Sequence, residues 1–259
     1  MKHCNVISHR GANGFAPQNT LPAFEKAVEL SVDGFETDVH LTKDGIPVLC
    51  HNYTINATSD SKGNITDYTY EELLDFDFGS YFSPAYSGTK IPTVDEFLTL
   101  AEKSDLKVLN IELKSPKEAR EAEIVELTID MVKEHGLLDK LLISSFNPEL
   151  LVRAKEYEPS CKTGLLYSPD KKLAWIISRD AIAYAENIGA DALHPHEIYV
   201  SKTYVDRAHA HGIMVNPWTI DKPKSIEKML DVGVDGIITN KPDLVKHIIK
   251  VREANEKQI

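Results

Sequence analysis

Short β-rich runs alternate with amphipathic segments along nearly the whole of this 259-residue chain. The candidate strands are Cys4–Ser8, Gly34–Leu41, Lys107–Leu113, Lys140–Ser144, Lys162–Leu166, Ala190–Leu193, Gly212–Asn216 and Gly236–Thr239. Between and after them the spacing predicts helices over Leu21–Leu30, Val94–Ala101, Lys117–His135, Pro148–Tyr157, Arg179–Ile188, Lys202–Ala210, Pro223–Val232 and Pro242–Glu253. Strict strand–helix alternation requires a parallel sheet, and eight repeats of it point to an α/β fold of the TIM (β/α)8 barrel type. A barrel of this length is ordinarily one domain, so residues 1–259 are expected to form a single unit. Three helix-to-strand joints repeat a pattern of Gly or Ser followed by Asp: Ser31-Val32-Asp33-Gly34, Gly189-Ala190-Asp191 and Gly233-Val234-Asp235-Gly236. Glycine there suits a left-handed helix end.

One segment breaks the alternation. Residues 52–91 are polar and rich in aromatics (Tyr53, Tyr68, Tyr70, Phe76, Phe78, Tyr81, Phe82, Tyr86), with turn signals at Lys62-Gly63-Asn64 and Ser87-Gly88-Thr89. So long an aperiodic stretch in a compact domain is usually a functional excursion. It is expected to be a small insertion subdomain over one barrel face.

Side chains alternate across a strand, so Glu36, Asp38 and His40 share one face of the second strand, with Phe35, Val39 and Leu41 on the other. In the next strand Asn110, Glu112 and Lys114 share a face against Leu109, Ile111 and Leu113. The apolar faces belong against the helices, which turns three carboxylates into the barrel. There they would repel one another strongly unless compensated. Lys114 offsets part of that charge. Either a salt-bridge network around Lys114 balances the rest, or an oxygen-liganded divalent cation does, and all-carboxylate ligation suits Ca²⁺, Mg²⁺ or Mn²⁺ better than zinc. Collection of catalytic groups at the carboxyl ends of barrel strands favours the cation.

Two histidines frame the carboxylates. His9 ends the first strand. His51 follows Ile46-Pro47-Val48-Leu49-Cys50, and if the Asp44-Gly45 turn folds this run back antiparallel, His51 lands beside Glu36 and Asp38. Such a pair suits general acid–base work, and Arg10 and Lys114 add fixed positive charge suited to an anionic substrate.

These residues and their neighbours resemble the glycerophosphodiester phosphodiesterase family. The resemblance rests on His9-Arg10-Gly11, Ala16-Pro17-Gln18-Asn19-Thr20, Gly34-Phe35-Glu36-Thr37-Asp38-Val39, Lys43-Asp44-Gly45-Ile46-Pro47-Val48 and His51. It continues through Ile91-Pro92-Thr93, Ile111-Glu112-Leu113-Lys114, Trp218-Thr219 and Gly233-Val234-Asp235-Gly236-Ile237-Ile238-Thr239, and so runs from His9 to Leu244 in the family's order. It implies a barrel with a small insertion, a divalent cation (Ca²⁺ or Mg²⁺) on Glu36, Asp38 and Glu112, and His9 and His51 as the acid–base pair. It also implies Arg10 and Lys114 at the phosphate, Trp218 against the glycerol, and cleavage of small glycerophosphodiesters to sn-glycerol 3-phosphate and an alcohol. Gln18, Asn52 and Ala57 depart from the usual Glu, Asp and Arg, which bears on the orientation of His51 and on the head group.

Two other functions would fit parts of the pattern. A lysophospholipase D-like enzyme would need an acyl channel, for which the aromatics of residues 52–91 are the candidates. A non-catalytic phosphodiester-binding barrel would not need both histidines. His194, in His194-Pro195-His196 at the end of the sixth strand, is placed at the same barrel mouth as a pocket residue. His209 and His211 are expected at a helix end, Cys50 as a packed side chain, and Ser144-Ser145 without a triad. With 29 Lys+Arg against 40 Asp+Glu the net charge is -11, which argues against nucleic-acid and anionic-membrane partners. Three cysteines without a CxxC pair, no apolar run of signal-peptide type near the start and no membrane-length apolar window lead to the expectation of a cytoplasmic protein. Oligomeric state is not legible.

Overall fold

The computed structural model describes residues 3–115, 120–170 and 180–256. Its strands are β1 (Asn5–His9), β2 (Gly34–Leu41), β3 (Pro47–Leu49), β4 (Val108–Leu113), β5 (Leu141–Ser145), β6 (Lys162–Tyr167), β7 (Ala192–Pro195), β8 (Met214–Val215) and β9 (Gly236–Thr239). All but β3 pair in parallel in the order β8-β7-β6-β5-β4-β2-β1-β9. Between β8 and β9 the ring is drawn together by Asp235 N donating to Val215 O (3.0 Å) and Ile238 N donating to Pro217 O (3.1 Å). The result is a nearly closed, eight-stranded TIM-type barrel, as the alternation requires.

The helices lie outside the ring: α1 (Leu21–Glu29), α3 (Val94–Ala101), α4 (Glu121–Glu134), α5 (Pro148–Tyr157), α6 (Ala181–Asn187), α7 (Lys202–Ala210), α8 (Pro223–Val232) and α9 (Pro242–Glu256), with the single turn α2 (Tyr70–Leu73) inside the 52–91 segment. The expected helix starts at Lys117 and Arg179 lie outside the described residues. Phe35, Val39 and Leu41 of β2, and Leu109, Ile111 and Leu113 of β4, pack into the apolar layer under the helices. Phe24 of α1, Phe35 and Phe97 of α3 form its aromatic centre, with ring centroids 4.6–6.1 Å apart. Each such buried ring contributes roughly 1.5–3 kcal/mol relative to exposure.

The repeated Asp at the strand entries has a structural meaning. Ser31, Gly189 and Gly233 all have positive φ (53°, 68° and 79°), turning the chain back toward the sheet. The Asp that follows then reaches to the neighbouring strand in each case. Asp33 accepts from Val6 N (3.0 Å), Asp191 from Thr163 N (2.7 Å) and Asp235 from Val215 N (2.8 Å). The Asp backbone N–H groups donate back to the carbonyls of the same three residues.

β3 folds back antiparallel on β2, pairing Val39 with Leu49 and Leu41 with Pro47. The turn that permits this has Gly45 at φ 85° and Thr42 Oγ1 donating to Asp44 Oδ1 at 2.6 Å. After it, residues 52–91 carry α2 and two 3₁₀ turns, and their Ile55, Ile65, Leu73, Phe78 and Ile91 form a separate apolar cluster with Val48 and Cys50 of the hairpin. Among the described residues no helix is long and apolar enough to cross a membrane.

Candidate active site

The inward faces of β2 and β4 supply the carboxylates, and their register decides how these meet. Asp38 lies opposite Glu112, and Glu36 opposite Asn110. One oxygen from each of Glu36, Asp38 and Glu112 lies within 4.8 Å of the others, and all three side chains are buried. Two cations answer them. Lys114 Nζ lies 2.7 Å from Asp38 Oδ1 and also pairs closely with Glu112, while Arg10 Nε lies 3.1 Å from Asp38 Oδ2.

The balance is uneven. Burial raises the Asp38 carboxyl, but Lys114 and Arg10 outweigh it and hold the group well below the carboxylate range. Glu36 is pushed well above that range by burial and then by the Asp38 charge. Glu112 is pushed up to about 7, chiefly by burial. The two fixed cations thus hold Asp38 ionised but do not repay the cost of ionising Glu36 and Glu112 as well, which further positive charge at the site would do. An oxygen-only, charged donor set of this kind can hold a hard divalent cation.

His9 and His51 reach the cavity from the end of β1 and from the end of the β2–β3 hairpin. His9 ends β1, where parallel pairing sets it beside Glu36, with Nε2 3.9 Å from Glu36 Oε2. Cys50 N donates to Asp38 O (3.0 Å), bringing the hairpin's end to the same rim and His51 with it. Burial, then the Arg10 charge, lowers His9 to about 3. Burial lowers His51 to about 4, against the opposing pull of Asp38. Both imidazoles are therefore neutral near neutral pH and able to accept a proton.

Amides hold four of the site's side chains. His9 Nδ1 is 2.7 Å from Asn240 Oδ1, and His51 Nδ1 is 2.7 Å from Asn52 Oδ1. Arg10 Nη1 donates to Gln18 Oε1 at 2.6 Å, and Asn19 Nδ2 donates to Asp38 Oδ2 at 2.9 Å. Gln18 and Asn52, two of the departures noted above, thus keep an orienting bond without adding negative charge. Ala57 is exposed and lines neither cavity at the site.

Two adjoining cavities open here. One, of about 290 Å³, is lined by His9, Arg10, Glu36, His51, Glu112 and Trp218, with Phe146, Ser168, Asp170 and His196 also on its wall. Asn110 Oδ1 and Ser144 Oγ face this cavity buried and with no hydrogen-bond partner among the described residues. Buried polar atoms are seldom left so, and here they suit a polar ligand. The second cavity, of about 500 Å³, shares His51, Glu112 and Phe146 with the first and adds Asn52, Tyr53, Thr54, Lys114, Ser115 and Asn147.

One expected pocket residue is elsewhere. His194 is fully buried within the barrel, where Asn216 Nδ2 lies 3.2 Å from its Nε2 and Gly164 leaves room for the ring. Pro195 then turns the chain, and it is His196 that reaches the cavity. His194 serves the wall indirectly: its carbonyl accepts the Trp218 indole N–H at 2.7 Å. His196, Phe146 and Ser168 follow strand ends without periodic signal, which is why the sequence alone did not single them out. His209 and His211 pair with Asp235 and Glu186 near the end of α7, away from the cavities.

Residues 9–244 match the Glycerophosphoryl diester phosphodiesterase family. A glycerophosphodiester phosphodiesterase of Caldanaerobacter subterraneus subsp. tengcongensis is 36% identical over 245 residues, covering 95% of this chain and 97% of the relative. A phosphodiesterase of Oleispira antarctica, solved in complex with the product sn-glycerol-3-phosphate, superimposes with a TM-score of 0.85 at 31% identity, covering 95% of this chain and 96% of that one. A glycerophosphodiester phosphodiesterase of Parabacteroides distasonis gives 0.82 at 29% identity, over 97% and 99% of the two chains.

Proposed function

Since the chain belongs to the glycerophosphoryl diester phosphodiesterase family and is an enzyme of that class, we propose that it hydrolyses small, water-soluble glycerophosphodiesters, such as glycerophosphocholine or glycerophosphoethanolamine. The products are sn-glycerol 3-phosphate and the free alcohol, and the reaction depends on a divalent cation, Ca²⁺ or Mg²⁺. The observation that carries this reading is the convergence of Glu36, Asp38 and Glu112 within 4.8 Å beneath a cavity lined by both His9 and His51.

Glu36, Asp38 and Glu112 would hold the cation. When bound, it supplies positive charge against the negative charge that grows on the phosphoryl oxygens. Arg10 faces the same cavity and adds a fixed donor for the phosphate, while Lys114 holds Asp38 ionised and opposes the upward push of burial on Glu112. The glycerol 3-phosphate half occupies the 290 Å³ cavity, with Trp218 against the glycerol. The alcohol leaves toward the 500 Å³ cavity. His51 lies on the wall of both cavities and His9 on the first alone. His9 therefore takes the proton of the attacking oxygen as its bond to phosphorus forms; His51, neutral in the free site, takes up a proton when the anionic phosphate binds beside it and gives that proton to the alcohol oxygen as the second bond breaks.

Of the aromatics in residues 52–91, Tyr53 alone, among the described residues, lines either of these two cavities. Phe78 packs in the segment's own apolar cluster, with Tyr68, Tyr70 and Phe76 against it. That arrangement supplies no acyl channel, so the reading favours soluble diesters over lysophospholipids. It also takes residues 52–91 as an insertion within one barrel domain acting in the cytoplasm. Side-by-side rates on glycerophosphocholine, glycerophosphoethanolamine and lysophosphatidylcholine, read as glycerol 3-phosphate released from the first two, test it. Turnover of lysophosphatidylcholine alone would contradict it.

A further inference from the structure

His9 is held by more than one neighbour. β1 and β9 pair in parallel with Ser8 opposite Thr239, so the next residues, His9 and Asn240, face each other at the barrel mouth. Asn240 is itself held by Asp221, on the segment that Ile220 N ties to Ile238 O at 3.0 Å. Asp221 Oδ1 accepts the Asn240 backbone N–H (2.9 Å) and the Thr239 hydroxyl (3.0 Å). Asp221 Oδ2 accepts the Asn240 side-chain N–H at 2.7 Å.

These contacts settle an ambiguity that an isolated Asn–His pair would leave open. An amide's two ends look alike, and an imidazole nitrogen can donate or accept. A backbone N–H can only donate, so Asp221 is an acceptor at this place. The Asn240 atom facing Asp221 is then its NH₂ group, and the atom facing His9 is its carbonyl oxygen. That oxygen can only accept, so His9 Nδ1 carries a proton whether the ring is neutral or cationic. Nε2, on the Glu36 side, is left as the nitrogen that exchanges protons. Among the described residues, the Asn52 amide beside His51 has no such anchor.

We propose that Asp221 and Asn240 are positioning residues for the reaction, acting through His9 by fixing its Nδ1–H tautomer and presenting Nε2 to the reacting atoms. This rests on the role proposed above for His9. Three variants test it: Asp221→Asn, Asn240→Asp, and the exchange carrying both. Asp221→Asn lets the Asn240 amide turn either way, and Asn240→Asp sets two carboxylates face to face. The exchange restores a single polarity: the amide placed at position 221 donates to the carboxylate placed at position 240, and that carboxylate accepts from His9. Each single variant is expected to lose kcat about 10–100-fold, the size typical of orienting partners, with KM little changed, and the exchange to recover most of that loss. Nitrogen-15 spectra of the imidazoles are expected to show His9 as the Nδ1–H tautomer in the wild type and the exchange, and as a mixture in Asp221→Asn. An unchanged kcat in Asp221→Asn, or no recovery in an exchange variant that keeps the wild-type Tm, would overturn the proposal. If the wild type releases no glycerol 3-phosphate, the functional reading has failed, while the tautomer spectra still decide whether Asp221 and Asn240 hold His9.

Discussion

At the scale of single residues, the site combines few charges with many neutral supports. Asn240, Asn52, Gln18 and Asn19 fix His9, His51, Arg10 and Asp38 without adding to the negative charge already buried there. On the proposed mechanism, proton transfer falls to the two imidazoles. His9→Ala and His51→Ala are each expected to lower kcat on a glycerophosphodiester by about 10²–10⁴-fold, the usual weight of a general acid or base. Lys114 tests the charge balance separately. Its ammonium bridges Asp38 and Glu112 in the interior. Lys114→Met, by removing one partner of a buried pair, should destabilise the metal-free protein by about 3–5 kcal/mol in denaturant unfolding. Added divalent cation should shrink that loss, because it supplies the missing positive charge at the same carboxylates.

Among the elements, the Asp residues at strand entries do what backbone pairing alone does not. β8 spans only Met214–Val215, and Asp235 links it to β9 by taking the Val215 N–H and donating its own. Asp235→Ala leaves a buried N–H without a partner and should cost about 1–3 kcal/mol, with Asp235→Asn recovering part of it. Helix contacts carry a pH dependence. His135 ends α4 and bonds to Asp95 (3.0 Å) and Glu102 (2.9 Å) of the α3 region. Burial pulls its pKa down, but these two acids outweigh that and raise it. A folded value above the unfolded one means stability present at low pH and lost as pH rises through the raised value. His135→Gln should therefore reduce Tm near pH 5.5 and make progressively less difference toward pH 9. These elements were largely legible beforehand, because period-2 and helical patterning mark buried faces directly. Residues 52–91 were legible only as an exception. There Asp77 gathers the N–H groups of Gly79, Ser80 and Gly88, a local polar knot with no periodicity to read.

Across the whole molecule, the barrel explains why so much of the site could be read from sequence and why a part could not. Glu36, Asp38, Glu112, His9 and His51 sit on or beside strands whose alternation fixes which way they face. The Asp221–Asn240–His9 chain could not be read that way, since Asn240 lies 231 residues from His9 and meets it only when β9 closes on β1. The placement of His194 failed for a related reason: alternation says that a side chain points inward, not at which depth the barrel mouth begins. The net charge of -11 is likewise divided by the fold, since three of its negatives lie inside at one centre, countered by Arg10 and Lys114, rather than on the surface. That centre is tested directly by glycerol 3-phosphate release from glycerophosphocholine by chelator-stripped protein, before and after return of Ca²⁺, Mg²⁺ or Mn²⁺, in the wild type and in Glu112→Gln. A metal-dependent centre gives negligible release after stripping, recovery with at least one of the three ions in the wild type, and little recovery in the variant. Undiminished release in the presence of chelator, or full activity in Glu112→Gln, would contradict it.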